Sequence, residues 1–143
     1  MKISTRLTLH VLIVVLALTV AAKTTRAQDP VKVDPDHYKV LYEDQKLRVL
    51  EYKDEPGHRV PKHSHPHYVV VVISPATREF FKPDCKTLDP PQPVNLTAGE
   101  ITPLKPPVTH CEYNNGQTNT HLIVFEYKDP PKKSASQKKT GKK

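Results

Sequence analysis

The stretch Val69-Val70-Val71-Val72-Ile73 constrains the fold more than any other part of this chain. A short run of β-branched side chains reads as a buried strand, because branching at Cβ stiffens χ1 in a helix and packs well on a pleated sheet. Directly before it stands Lys62-His63-Ser64-His65-Pro66-His67-Tyr68. Side chains two apart in an extended chain share a face, so His63 and His65 point the same way. His67 has the same parity, with Pro66 intervening. Read as one strand from Pro61 to about Ile73, this segment places two imidazoles on one wall, which is half of a transition-metal site. A third ligand is expected on a neighbouring strand, and His110 is the candidate.

The remainder of the mature chain shows no helical periodicity. Val31 to Pro35 reads as a lead-in broken by Pro35. His37 to Tyr42 alternates apolar and polar residues as a half-buried strand does, and Leu47 to Lys53 follows beyond a turn. Asp54-Glu55-Pro56-Gly57 and Asn114-Asn115-Gly116 are strong turn signals. Further short strands are expected at Arg78 to Lys82, Val94 to Thr97, Ile101 to Leu104, Val108 to His110 and Asn119 to Tyr127. Leu88 to Pro93 carries three prolines, which cannot donate to a sheet ladder, and is expected to be a surface loop. Short strands at this spacing predict an all-β barrel or sandwich of about 100 residues.

The spacing of particular residues then suggests a family. Gly57, five residues, and His63-x-His65 resemble the first cupin motif; Gly99, ten residues, His110, three residues, and Asn114 resemble the second. The likeness covers about Val31 to Lys128. The Glu of the first motif would fall at Val69 or Val70 and is absent, as is its closing Gly near Ala76. Lys105 and Pro107 stand where the second motif has Pro and Gly. The resemblance implies a single-domain cupin (RmlC-like jelly-roll) β-barrel. It also implies a divalent transition metal (Fe, Mn, Ni, Cu or Zn) held by His63, His65 and His110, with no organic cofactor.

Two residues are further candidates for the place of the missing Glu. His67 shares the parity of the histidine pair, and Glu112, two beyond His110, should face the same side. A metal held by neutral imidazoles keeps its full charge and can polarise a substrate, lower the pKa of a water, or bind dioxygen if it is iron or copper. The implied activity is therefore that of an oxygenase or isomerase on a small molecule. The alternative is a non-catalytic small-ligand-binding cupin with a vestigial site. No catalytic residue is assigned; Asn114 is expected to hold the turn after the histidine strand, and His37, His58 and His121 read as ordinary surface or rim residues.

Charge and cysteines bound the setting. Residues 1–27 read as a secretory signal peptide: Lys2 and Arg6, then the apolar Leu7 to Val20, then small residues. That apolar core is shorter than the roughly 20 residues a transmembrane helix needs. Domains are thus expected at 28–130, with a disordered lysine-rich tail over 131–143, and the mature protein is expected to be exported to a periplasm or the extracellular space with no stable membrane anchor. The formal charge of +7 comes from the ends of the chain. Between Asp29 and Asp129 there are 15 acidic and 12 basic side chains, a net of −3. That region has no electrostatic reason to bind nucleic acid, so the expected partner is a small-molecule ligand or substrate, and a homodimer is left open. Cys85 and Cys111 are the only cysteines. An exported protein can join them, but sequence leaves their pairing open.

Overall fold

A computed structural model describes residues 28–128. The expected signal segment and the expected tail lie outside the described residues. The described residues open with a short helix, α1 (Pro30–Val33), where a lead-in without helix is expected from the sequence. Asp29 caps it through Oδ1, which accepts from the Val31 amide at 3.0 Å, and Pro30 occupies the first turn, where its missing N–H costs nothing.

Eight strands follow: β1 (Tyr38–Glu43), β2 (Leu47–Asp54), β3 (Arg59–His65), β4 (His67–Ser74), β5 (Ala76–Phe81), β6 (Val94–Leu96), β7 (Val108–Asn114) and β8 (Thr120–Tyr127). They form two four-stranded antiparallel sheets, ordered β1-β2-β8-β4 and β3-β7-β5-β6. This is the expected all-β jelly roll. The chain changes sheet at Pro56-Gly57, Pro66, Pro75 and Asn115-Gly116, which are positions that punctuate the ladders. Gly57 has φ +87°, a conformation that L side chains rarely adopt.

Two strand expectations change. The segment from Pro61 to Ile73 is two strands in different sheets, because Pro66 cannot donate to a ladder and the chain crosses over there. Ile101 to Leu104 is not a regular strand: it meets β4 through isolated bridges, Val71 with Ile101 and Tyr68 with Lys105, and through Thr102, whose hydroxyl accepts from the Val70 amide at 3.0 Å. Two prolines follow at 106 and 107 and deny that segment a longer ladder.

Between the sheets lie Tyr38, Leu50, Tyr52, Val60, Val72, Leu122 and Val124, all buried, with Val31, Tyr68, Val70 and Leu96 packed against them. A side chain of this size contributes about 1.5–3 kcal/mol when fully buried. The ladder of β3 with β7 contains a bulge. Val60 pairs with Glu112 and His63 with His110, so three steps on β3 match two on β7.

Cys85 and Cys111 form a disulfide with a Cα–Cα distance of 5.3 Å. It ties the turn after β5 to the outward side of β7. Closing a loop of 26 residues restricts the unfolded chain by roughly 3 kcal/mol in the entropic treatment. Replacing both cysteines with serine should lower the denaturant midpoint accordingly. An unchanged midpoint would show that the link does not constrain the unfolded chain.

Candidate metal centre

His63 and His65 lie on β3, and His110 and Glu112 on the adjacent β7. Antiparallel pairing puts His63 directly opposite His110, and alternation then brings His65 and Glu112 onto the same inner face. All four are buried, and one ligand atom from each lies within 4.8 Å of the others. Nε2 of His110 is 3.0 Å from Nε2 of His63. Glu112 Oε1 stands 3.1 Å from the former and 3.4 Å from the latter.

The outer nitrogens of His63 and His65 are already engaged. Nδ1 of His63 donates to the Pro61 carbonyl at 2.8 Å, which leaves its Nε2 as a lone pair facing the cluster. Nδ1 of His65 is 2.6 Å from Glu126 Oε1, which leaves Nε2 as its ligand atom. A ligating histidine commonly has its second ring nitrogen held in this way, which fixes the tautomer and the ring plane. With three imidazoles and one carboxylate converging, the donor set fits a divalent transition ion.

Glu112 is fixed from behind by Arg78. Its Oε2 accepts from Arg78 Nε at 3.1 Å and from Nη2 at 2.8 Å, so Oε1 is the oxygen turned toward the histidines. Arg78, on β5, has no exposed surface and reaches across to the other sheet. Its Nη1 donates to Asp54 Oδ2 at 2.8 Å and Thr120 Oγ1 at 3.0 Å, and Nη2 to the Tyr52 hydroxyl at 3.0 Å. Tyr52 also donates to Asp54. Asn114 extends the network: its Nδ2 donates to Asp54 at 3.0 Å and to the Thr118 carbonyl at 3.1 Å, and its Oδ1 accepts from the Gly116 amide at 3.1 Å. It holds the turn, the role expected for it.

Burial alone would push the Glu112 carboxyl up, but Arg78, then His110 and His63, outweigh it and hold it well below the usual glutamate range. Asp54 is likewise held low, burial being outweighed by Arg78 and the Tyr52 hydroxyl. Burial opposes the charged form of His63, yet Glu112 and the Pro61 carbonyl leave its pKa raised. His65 is lowered by burial, which Glu126 only partly offsets. For a carboxylate with a depressed native pKa, stability is fully present above the unfolded value and lost as pH falls through the native one. Metal-free protein should therefore lose stability between about pH 5 and pH 3, and Glu112→Gln should flatten that loss. A denaturation midpoint that does not change across this interval would contradict the ionised state of both carboxylates.

His65, His110 and Glu112 of the cluster line a cavity of about 400 Å³ between the sheets. Its walls include Tyr38, Tyr68, Val70, Phe80, Leu96 and Val124, with Asp89 and Lys105 also on the lining. The Tyr38 hydroxyl stands 3.5 Å from His63 Nε2. Burial pushes the Tyr68 phenol up to about 12, so it remains a hydrogen-bond donor at neutral pH.

His67 is not part of the cluster. It follows the crossover at Pro66, lies on β4, and pairs with Tyr127 of the other sheet. Tyr113 is also turned away, lying under the Arg59 guanidinium at 3.9 Å. Sequence reasoning missed Arg78, Tyr38 and Glu126. Arg78 shares parity with Ala76 and Phe80, which both turn inward, and that alternation was the available signal.

A two-sheet jelly roll with three histidines and a carboxylate on its inner wall defines a small β-fold with a metal-type donor set. No family model and no curated protein matches the sequence. Solved structures resemble it in fold. The chain is similar to a cupin domain from Bordetella pertussis Tohama I, with 23% identity, a TM-score of 0.56 and coverage of 64% of this chain and 92% of that one. It is also similar to an RmlC-like cupin family protein with a double-stranded β-helix fold from Methanocaldococcus jannaschii, at 18% identity and a TM-score of 0.48 over 63% of this chain and 77% of that one. The likeness to the Bordetella pertussis domain shows a cupin fold.

Proposed function

We propose that this chain is an exported metalloprotein. In this reading His63, His65, His110 and Glu112 hold one divalent transition ion, and the adjoining cavity takes a small molecule for oxygenase or isomerase chemistry. The observation that carries it is the convergence of four buried ligand atoms within 4.8 Å, each backed by a further hydrogen bond or ion pair or by its strand partner. Glu112 takes the place, on β7, of the carboxylate that cupin motifs supply from the first histidine strand. The bound ion would supply Lewis acidity and, if iron or copper, redox capacity. The cavity residues would exclude water and orient the ligand, with the phenols of Tyr38 and Tyr68 as hydrogen-bond donors.

Export is supported by the charged-apolar-small order of residues 1–27 and by the disulfide, which persists in oxidising compartments. The test is elemental analysis of protein purified without a metal-affinity tag, followed by oxygen uptake and isomerisation assays over a panel of small molecules. About one tightly held transition ion per chain with turnover supports the reading. Metal-free protein that binds small ligands unchanged would replace it with a non-catalytic binding module.

A further inference from the structure

A second cluster lies at the end of the fold, between α1, β1 and β3. Asp34 follows α1, His37 precedes β1 and His58 precedes β3; their candidate ligand atoms all lie within 4.8 Å of one another. Asp34 is buried and divides its carboxylate between two imidazoles. Oδ1 is 2.6 Å from His37 Nδ1, and Oδ2 is 2.9 Å from His58 Nε2. The two rings lie with centroids 3.7 Å apart and their planes tilted by 30°. Backbone bonds fix all three positions: the Tyr38 amide donates to the Asp34 carbonyl at 3.1 Å, Lys53 to that of His37 at 3.1 Å, and Asn114 to that of His58 at 3.0 Å.

The net charge of this cluster depends on its two imidazoles. A buried carboxylate normally has a cationic partner, yet among the described residues no lysine or arginine pairs with Asp34; its ionic partners are the two histidines. With both rings neutral, the cluster carries a net negative charge. A second carboxylate, Glu55, stands 3.6 Å from His37 Nε2. If His37 changes tautomer, its Nδ1 becomes a lone pair facing Asp34 and its Nε2–H faces Glu55, the carboxylate–histidine–metal arrangement of many zinc sites.

We propose that Asp34, His37 and His58 form a second site for a divalent cation of the zinc class, separate from the histidine cluster in the cavity. The set supplies two imidazole nitrogens and one carboxylate, leaving a coordination position for water. Its ligands come from three segments, so the ion staples the N-terminal segment to the strand that carries His63 and His65. That segment already lies on β3, where the Gln28 carbonyl accepts from the Ser64 amide at 2.8 Å.

The test is zinc stoichiometry by equilibrium dialysis on the full chain. Wild-type protein should hold about two equivalents, and His37→Gln and His58→Gln about one each. His110→Ala should also fall to about one, by losing the other site. Failure of the cavity reading alone would look different: wild type would then hold about one equivalent, and His58→Gln none. A second measurement needs no variant. In ¹H–¹⁵N spectra of wild-type imidazoles, zinc should move His37 from the Nδ1–H to the Nε2–H tautomer. Zinc content unchanged in His37→Gln and His58→Gln, or His37 and His58 signals indifferent to saturating zinc, would overturn the proposal.

Discussion

Arg78→Leu should unfold this protein or bring it close to unfolding. The guanidinium has no exposed surface and donates to Glu112, Asp54, Thr120 and Tyr52. Removing it leaves two carboxylates in the interior without a cation, and breaking a buried ion pair in that way costs about 3–5 kcal/mol. A domain of this size is stable by only about 5–15 kcal/mol. The melting temperature should fall by roughly 15–30 °C. Arg78→Lys should recover only part of the loss, because one ammonium cannot supply the planar fork that serves Glu112 and Asp54 together. A fall of under about 1 kcal/mol in chemical denaturation would mean that both carboxylates find other partners or take up protons.

Metal dependence should be the other large effect. With metal at a thousandfold excess over its dissociation constant, binding to the folded state adds about 4 kcal/mol, or roughly 15–30 °C in melting temperature. His63→Ala, His65→Ala and His110→Ala should each abolish the part of that gain due to the cavity site, whereas His67→Ala and His121→Ala should leave it intact. His121 lies outside the cluster, 2.9 Å from Glu51. Protons compete with metal for the imidazoles, so affinity should fall steeply between about pH 7 and pH 5. His63, with its raised pKa, takes up a proton early in that descent, while Glu112 remains ionised. Unchanged metal content in all three alanine variants would show that the cluster is held by hydrogen bonds alone.

Much of the site was legible because strand parity is a local rule. His63 with His65, and His110 with Glu112, needed only alternation to share a face, and the cupin spacing then brought the pairs together. The crossover at Pro66 was not legible: the apolar run continues through it, and only the change of sheet separates His67 from His65. Arg78 and Asp54 were missed because a charged residue in a strand ordinarily faces water. The burial of Arg78 depends on partners 24 and 34 positions away, Asp54 and Glu112. His37 and His58 read as surface residues in the sequence for the same reason. Asp34, which makes them a cluster, follows a helix that the sequence did not announce.

The bulge at Pro61-Lys62 has a consequence for how this chain tolerates change in length. On β3, Val60 and His63 both face inward only because one extra residue lies between them relative to Cys111 on the partner strand. Most surface segments of a small β-protein accept a residue gained or lost. Here, loss of Lys62 alone would turn the bulge into regular ladder, with Val60 still opposite Glu112 and His63 still opposite His110, whereas loss of Ser64 would put the two imidazoles on opposite faces of the strand. The bulge thereby absorbs a change of length that the histidine strand beyond it does not tolerate.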